Sequence, residues 1–210
     1  MLEHFHVPEE DRVMMRREDL FKTTTDIFKA MGMPADDAKL ASEGLVLADV
    51  RGCETHGVSN MLRNYVQAFS DGKINPTPEW KITHETSAVA TIEADKGHGL
   101  VICQRAMDIA IEKAKNVGIG AVTIHNSTHA GMMAYHAMRA MPHDMVGYAI
   151  TGGGAVAVPT FGAEPRIGAV PHAWAVPANA MPPFVLDISS SVVAANKIQL
   201  LRRMEAMTIP

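Results

Sequence analysis

Two segments of this sequence contain histidines in settings that could perform chemistry. The first is Arg51-Gly52-Cys53-Glu54-Thr55-His56-Gly57, where a hydroxyl precedes an imidazole between two glycines. Because an imidazole titrates near neutral pH, His56 could exchange a proton with a hydroxyl or carbonyl oxygen, with Thr55 beside it. A helix predicted to begin here would favour an anionic ligand. The alternative is that Thr55 caps that helix and that His56 has no chemical role.

The second segment is His125-Asn126-Ser127-Thr128-His129-Ala130-Gly131, a polar loop between a predicted strand and a short predicted helix. Loops of this kind often hold site residues, so His129 is a second acid/base candidate. His125, His129 and His136 could also be zinc ligands, but no cysteine or carboxylate lies nearby, and we predict no metal site. The alternative is a set of surface histidines.

The glycine-rich segment Gly152-Gly153-Gly154-Ala155-Val156-Ala157 formally fits the dinucleotide fingerprint G-x-G-x-x-A. Its context does not fit, because Pro159 and Gly162 follow too soon for the crossover helix that a Rossmann turn needs. We therefore predict a loop that can touch a ligand, and no Rossmann domain. Further along, Phe184 to Ser191 reads as a strand that delivers Asp187 and a run of hydroxyls to a helix start, where they could bind a ligand or only cap the helix.

Hydrophobic periodicity predicts the elements that must position these residues. Helices are expected over 18–31, from an N-cap at Asp36, and over 58–69, before a proline-rich linker. Short strands and helices follow: strands over 80–84, 88–93, 119–124, 145–151 and 184–188, and helices over 100–116, 132–141 and 192–204. The sequence predicts an α+β protein with a helical N-terminal domain in residues 1–78. Residues 79–210 are predicted to form a mixed α/β cofactor and substrate domain, incomplete at its C-terminus.

Composition limits the classes of partner. The 210 residues carry a formal net charge of −4 and no basic run, which argues against nucleic acid and anionic membranes as main partners. The two cysteines, Cys53 and Cys103, form no C-x-x-C pair, which fits a reducing compartment. The N-terminus lacks a signal peptide's apolar segment, and no apolar run could span a bilayer. We expect a cytoplasmic protein.

The order and spacing of these motifs resemble one family, the malate/L-lactate/ureidoglycolate dehydrogenases, also called type 2 lactate dehydrogenases. The resemblance extends from about Leu20 to the end of the chain. It is carried by Ala48-Asp49-Val50-Arg51-Gly52, Glu54-Thr55-His56-Gly57-Val58, Gly72-Lys73-Ile74-Asn75-Pro76, Asp95-Lys96-Gly97-His98-Gly99-Leu100, Ala106-Met107-Asp108-Ile109-Ala110, Ser127-Thr128-His129-Ala130-Gly131, Pro159-Thr160-Phe161-Gly162 and Phe184-Val185-Leu186-Asp187.

The resemblance implies a fold, an activity and a set of roles. The fold is a helical N-terminal layer packed on a mixed, largely antiparallel sheet domain. The activity is hydride transfer between NAD or NADP and a small 2-hydroxy or 2-oxo acid, by a homodimer. Matching positions make His56 and His129 the catalytic candidates, which must then share one cleft. The substrate-binding candidates are Thr55, Asn60 and Arg63, and the cofactor-binding candidates are Gly153, Asp187, Ile188 and Ser189.

The chain also departs from the family pattern. Asn60 stands where many relatives have arginine, and Gly152, Ala169 and Val170 lack polar side chains common in relatives. Relatives continue well past Pro210, so the chain is expected to be truncated and to bind cofactor weakly. The alternative to an active dehydrogenase is therefore a truncated or decayed, non-catalytic member that retains only the fold and dimer contacts. The sequence does not choose the acid, NAD or NADP, or the acid/base histidine.

Overall fold

The computed structural model describes residues 9–191 and 194–203 of the chain. Its N-terminal part is a layer of three helices, and 3-10 turns at Glu9–Asp11 and Glu54–His56 precede α1 and α3. These helices are α1 (Arg17–Ala30), α2 (Ala35–Val50) and α3 (Val58–Ser70). The prediction that Asp36 caps α2 is wrong, because the extended residue Pro34 occupies the N-cap and Asp36 lies within the first turn.

The rest of the described chain alternates helices with short strands. A 3-10 helix, Met138–His143, continues directly from α5. The helices are α4 (Gly99–Val117), α5 (Met133–Ala137) and α6 (Ala195–Arg203). The strands are β1 (Lys81–Glu85), β2 (Val89–Glu93), β3 (Ala121–His125), β4 (Gly147–Ile150), β5 (Ala155–Ala157), β6 (Ile167–Gly168), β7 (His172–Val176) and β8 (Phe184–Ile188). The predicted helix over 192–204 lies partly outside the described residues.

These strands form three small sheets. In the first, of order β1-β2-β3, β1 and β2 are antiparallel, and α4 connects β2 to the parallel strand β3. The second sheet, of order β4-β7-β8, and the third, β5-β6, are antiparallel throughout. Only one strand pair in the described part of the chain is parallel, whereas a Rossmann domain is built on a parallel sheet. The predicted α+β, non-Rossmann class is confirmed.

Helix α5 packs closely on one face of the β4-β7-β8 sheet. This inner face is lined by small residues, since Gly147 pairs with Ala175 and both alanines of β7, Ala173 and Ala175, are fully buried. A Cβ added to Gly147 would lie 1.9 Å from the carbonyl oxygen of Ala137, so only glycine allows this approach. The sheet thereby holds α5, and the loop that leads into it, at a fixed depth.

The larger hydrophobic core is shared between the helical layer and the later elements. Phe28, Leu45 and Tyr65 from α1, α2 and α3 belong to one buried cluster with Leu100 of α4 and Ala173 of β7. Packing therefore continues across the boundary expected at residue 78, and the division into two domains stays a prediction. No helix among the described residues is long and apolar enough to cross a bilayer.

Candidate active site

A tight turn between α2 and α3 positions His56. Asp49 caps α3, because its Oδ2 accepts a hydrogen bond of 2.8 Å from the amide of Val58. Gly57 makes this contact possible, since a Cβ there would lie 1.7 Å from Asp49 Oδ1. The alternative that Thr55 caps the helix is therefore wrong. His56 ends the 3-10 turn just before α3 instead of starting the helix itself.

Two amide side chains hold the backbone of this turn. Asn60 Nδ2 donates to the carbonyl of Glu54 at 2.6 Å, and Asn196 Nδ2 of α6 donates to the carbonyl of Thr55 at 2.6 Å. The side chain of Thr55 is left to contact the imidazole, with Oγ1 2.9 Å from His56 Nδ1. Asn60 is buried and supports the turn, while its expected contact with substrate stays a prediction.

The N-terminus of α4 positions the loop that carries His129. The amide of Gly99 donates to Thr128 Oγ1 at 3.1 Å, and that hydroxyl donates to the carbonyl of Gly97 at 3.2 Å. A Cβ on Gly99 would lie 2.4 Å from the carbonyl oxygen of Thr128 and 2.5 Å from that of His129. Sequence analysis assigned the segment from Asp95 to Leu100 no role of its own. In the structure, this segment holds the loop that carries His129 in place.

The two candidate histidines meet in one cleft. The ring centroids of His56 and His129 are 5.7 Å apart and their planes differ by 10°, so the rings are stacked. His129 remains exposed to solvent although dense protein surrounds it, so its ring is accessible to a ligand. The expectation that these distant residues share a cleft is confirmed, and the cleft could present two imidazoles to one oxygen atom.

His129 is anchored from behind through its Nδ1 atom. The hydroxyl of Tyr65 lies 2.8 Å from Nδ1, and the amide of Gly131 donates to the same atom at 3.3 Å. The surrounding protein, followed by the neighbouring His56, lowers the pKa of His129 below its ordinary value. Burial raises the pKa of Tyr65, so this hydroxyl stays protonated over the physiological range. His129 is therefore held as a neutral imidazole.

Asp187 adds a negative charge to the cleft. On the inner face of β8, its Oδ2 accepts a hydrogen bond of 2.6 Å from the amide of Ala134 in the first turn of α5. Burial lowers the pKa of His56, and the charge of Asp187 raises it in opposition. Burial likewise raises the pKa of Asp187, while the Ala134 amide and His56 lower it. The two residues thus stabilise each other's charged forms, which suits a histidine that must gain and lose a proton.

Arg63 lies on a different face of α3 from the residue that contacts His129. Arg63 and Tyr65 are two residues apart, which places them about 200° apart around a helix. The exposed guanidinium lines a polar cavity of about 350 Å³ between α3 and α6. The other lining residues are Asn60, Asn64, Asn196, Gln199 and Arg202. The expected carboxylate clamp is therefore not on the Tyr65 side of the helix, and its role stays a prediction.

The cofactor-binding candidates are not gathered at one point. Side chains alternate along β8, so Ile188 projects from the sheet face opposite to Asp187. Ile188, Ser189 and Gly153 are all exposed, and Ser189 Oγ lies 3.2 Å from Ser191 Oγ. The structure brings Asp187 to the histidines and leaves the other three candidates at the surface.

The exposed candidates suit the polar part of a dinucleotide. Nothing lies within 4 Å of a Cβ added to Gly152 or Gly154, so these two positions are open to a ligand. Ser189 adds an exposed hydroxyl. Open amides and hydroxyls are the groups that bind ribose and phosphate oxygens, so these residues fit a nicotinamide dinucleotide.

The remaining histidines of the second motif have other surroundings. His136 is buried, with Nε2 donating to the carbonyl of Ala130 at 2.7 Å and Nδ1 2.9 Å from Gln104 Nε2. His125 is exposed at the end of β3. Within residues 9–191 and 194–203, no three histidine, cysteine or acidic side chains are grouped so that they could hold a metal ion.

Sequence reasoning missed three residues that build the site, namely Asp49, Tyr65 and His98. Tyr65 belongs to the apolar stripe of α3 and is buried as that stripe predicts, but its hydroxyl contacts His129. A buried tyrosine usually finds a partner for its hydroxyl, and that was the available signal. Asp49 and His98 both stand in motifs that carry the family resemblance, but those motifs gave neither residue a role.

The fold is shared with solved dehydrogenase structures. Malate dehydrogenase from Pyrococcus horikoshii superposes with a TM-score of 0.87 at 36% identity, over 92% of this chain and 55% of that structure. Malate dehydrogenase of Pyrococcus abyssi is 37% identical over 195 residues, 93% of this chain and 53% of that protein. L-sulfolactate dehydrogenase of Methanocaldococcus jannaschii is 37% identical over 186 residues, 89% of this chain and 54% of that protein.

The model of the malate/L-lactate dehydrogenase family matches residues 15–210. The chain therefore belongs to the malate/L-lactate dehydrogenase family. It spans about half the length of the relatives that it matches.

Proposed function

We propose that this chain supplies the proton-transfer site of an NAD- or NADP-dependent dehydrogenase that interconverts small 2-hydroxy and 2-oxo acids. The observation that carries the proposal is the stacked pair of His56 and His129 with Asp187 beside it. The two imidazoles can bind the substrate oxygen and exchange a proton with it near neutral pH, and the charge of Asp187 favours the protonated form of His56. Family membership supplies the reaction class.

In the proposed mechanism, the substrate oxygen lies between the two imidazoles. When bound, a reduced nicotinamide supplies the hydride that converts a 2-oxo carbon into a 2-hydroxy carbon. Gly153, Ile188 and Ser189 are the residues that would hold this cofactor. The histidine pair binds the carbonyl oxygen and delivers the proton that completes the hydroxyl, while Thr55 orients His56 through Nδ1.

The substrate is proposed to be a 2-hydroxy acid with a second anionic group. Relatives are named for malate and L-sulfolactate, and both molecules carry a second acid group beside the 2-hydroxy carboxylate. Arg63 is the candidate to bind one of these groups, because a guanidinium matches a carboxylate or sulfonate with two parallel hydrogen bonds. The cofactor is NAD or NADP, and the described residues do not favour one of the two.

We further propose that the protein works as a cytoplasmic homodimer. Beside the cofactor candidate Ile188, the outer face of the β4-β7-β8 sheet exposes four further large apolar side chains, Tyr148, Ile150, Trp174 and Phe184. Apolar patches of this kind mark surfaces that another polypeptide covers. The thiols of Cys53 and Cys103 are both free, which supports a reducing compartment.

The test is reduction of oxaloacetate, pyruvate and sulfopyruvate by the chain with NADH and with NADPH. Cofactor affinity is expected to be weak, because Gly152, Ala169 and Val170 offer no polar side chain to a dinucleotide, so the assay uses millimolar cofactor. The His56→Ala variant should abolish turnover, and the exposed His125→Ala variant should retain it. If neither cofactor binds and no acid is reduced, the proposal fails and a non-catalytic family member is favoured.

A further inference from the structure

The hydrogen bonds at the two Nδ1 atoms assign different roles to the paired histidines. We infer that Tyr65 and the Gly131 amide fix His129 as a neutral hydrogen-bond donor, so that His56 is the histidine that carries the proton. Tyr65 is then a positioning residue that acts through His129. The assignment of hydrogen bonds concerns the chain alone, and its meaning for catalysis rests on the proposed function.

The amide of Gly131 decides the tautomer of His129. A backbone N–H can only donate, and it donates to His129 Nδ1 at 3.3 Å. Nδ1 must therefore present its lone pair, and the proton of the neutral ring sits on Nε2. Protonating Nδ1 would place two N–H donors against each other. The Gly131 amide thus opposes the imidazolium form whatever the orientation of the neighbouring hydroxyl.

Tyr65 reinforces the same tautomer from a rigid position. Its hydroxyl lies 2.8 Å from His129 Nδ1, and because that atom is an acceptor, the hydroxyl is the donor. The ring is buried and packs against Phe28 and His98, with centroid distances of 6.4 and 4.4 Å. A donor fixed in this way stabilises the neutral form of His129.

His98 completes the support beneath Tyr65. Its Nδ1 accepts the amide of Leu100 at 3.2 Å, so the neutral ring carries its proton on Nε2. Burial, followed by the nearby His129, lowers the pKa of His98 to about 3, so the ring stays neutral. The titratable groups around His129 are therefore His56, Tyr65 and a permanently neutral His98.

His56 has partners that tolerate both of its protonation states. A hydroxyl can donate or accept, so Thr55 Oγ1 can satisfy His56 Nδ1 in the imidazole and in the imidazolium. The charge of Asp187 favours the imidazolium, whereas His129 has no carboxylate among the groups that shift its pKa. The surroundings of His56 therefore allow it to gain and lose a proton, whereas those of His129 keep it neutral.

This division of roles gives a balanced reaction. During reduction, His129 Nε2–H donates a hydrogen bond to the carbonyl oxygen and keeps its proton. A reduced nicotinamide held by Gly153, Ile188 and Ser189 would supply the hydride to the carbonyl carbon, and the oxygen would take its proton from the His56 imidazolium. The products are the 2-hydroxy acid, the oxidised nicotinamide and neutral His56, which regains its proton from water.

The test is a pH titration of the imidazole nitrogens by ¹⁵N NMR in the whole chain, without cofactor or substrate. We expect His129 to show a protonated Nε2 and a hydrogen-bonded, unprotonated Nδ1 down to pH about 5, while His56 titrates at higher pH. An Nδ1–H tautomer of His129, or a pKa of His129 higher than that of His56, would overturn the inference. This reading needs no variant to fold.

A variant pair tests the positioning role. Tyr65→Phe should raise the pKa of His129 by about one unit and remove the hydrogen-bond signature at Nδ1, because the donor that favours the neutral ring is lost. Tyr135→Phe is the matched control, since the Tyr135 hydroxyl donates to the carbonyl of Leu40 and not to His56 or His129. An unchanged His129 titration in Tyr65→Phe contradicts the role of Tyr65.

Failure of this inference is distinguishable from failure of the proposed function. The NMR titration reports the tautomer whether or not the chain reduces any acid. If the tautomer is as expected but the chain has no affinity for 2-oxo acids, the hydrogen-bond assignment is correct and the proposed function is wrong. If the chain reduces 2-oxo acids but the pKa of His129 is higher than that of His56, the proposed function is correct and this inference is wrong.

Discussion

The polar groups of the histidine cleft have hydrogen-bond partners within the chain, whereas the outer face of the β4-β7-β8 sheet leaves large apolar side chains exposed. In the cleft, His56, His129 and Asp187 each have a hydrogen-bond partner within the chain. On the outer sheet face, Trp174 and Ile188 are more than a third exposed. This chain therefore preorganises the groups proposed to transfer the proton and leaves the surface beside its cofactor candidates exposed.

The sheet itself shows the same difference across its two faces. Its inner face is lined by small residues against which α5 packs, and it delivers Asp187 to the cleft. Its outer face carries large apolar side chains in register, with Tyr148 beside Trp174 at a centroid distance of 4.4 Å. The inner face of the sheet is therefore closely packed, and its outer face is exposed.

The largest expected effect concerns the pH dependence of folding. Burial lowers the pKa of His98 to about 3 and that of His136 to about 4, from 6.5 in an unfolded chain. Between pH 6.5 and these values, the unfolded chain binds more protons than the folded chain, so the free energy of unfolding falls as the pH falls. The loss from pH 7 to 4.5 should be on the order of 5 kcal/mol from these two groups, and the lowered pKa of His129 acts in the same direction.

Urea unfolding at a series of pH values measures this loss. The raised pKa values of Asp49 and Asp187 act in the opposite direction, near the acidic end of the window. Replacing His136 by Gln should flatten the pH dependence, whereas replacing the exposed His125 by Gln should leave it unchanged. A stability that is constant from pH 7 to 4.5 would mean that the layer beneath the cleft is not as closed as described.

The next largest effect is expected for catalysis at the cleft. His129→Ala should lower kcat for 2-oxo acid reduction by about 10²–10³-fold, because one fixed donor to the developing alkoxide is lost. His129→Gln keeps an amide donor and should lose less. The comparison with the outer region uses Ser189→Ala, which should alter KM for the cofactor more than kcat. Equal kcat losses in the two regions would remove the distinction between them.

A smaller effect tests the turn that carries His56. Gly57→Ala should cost about 2–3 kcal/mol of unfolding free energy, because the new methyl group displaces the Asp49 carboxylate that caps α3. Gly154→Ala is the matched control, since nothing lies within 4 Å of its added Cβ, and it should be nearly neutral. Thermal unfolding of both variants checks the prediction, and equal stabilities would show that the turn is looser than the geometry implies.

The smallest effect compares the two faces of β7. Ala175→Leu should destabilise the fold by about 1–3 kcal/mol, because the fully buried inner face has no room for a larger side chain. Trp174→Gln on the outer face should cost about 1 kcal/mol or less, since the indole is already partly exposed. The reverse order in chemical denaturation would contradict the assignment of the two faces.

Periodicity predicted most helices and several strands, because apolar residues recur at helical spacing in α3 and stand in short runs in strands such as β8. The expected strand over 184–188 coincides with β8, and the stripe expected over 58–69 is α3. No strand was predicted between residues 151 and 184, although β7 is the central strand of its sheet. Its inner positions are Ala173 and Ala175, and alanine has a low preference for strands. What makes them fit is the helix packed above, a tertiary feature.

The residues of the candidate site could be predicted where their chemistry stands out in a motif. The contacts that tertiary packing creates between distant segments could not be predicted. His56 and His129 were both identified, because an imidazole in a polar loop is unusual enough to examine. Their roles could not be separated, since that distinction depends on Tyr65 and the Gly131 amide, which come from another helix and from the backbone. Gly57 was noted for its flexibility, but its necessity comes from the Asp49 carboxylate.

The most direct test of the central claim is to titrate the chain with oxamate, an unreactive analogue of a 2-oxo acid, while following the imidazole resonances by NMR. We expect saturable shifts of His56 and His129, with exposed His125 unaffected, and loss of the response in His56→Ala. Saturable binding that shifts other residues and leaves both paired histidines unchanged would contradict the claim that this cleft holds the substrate oxygen.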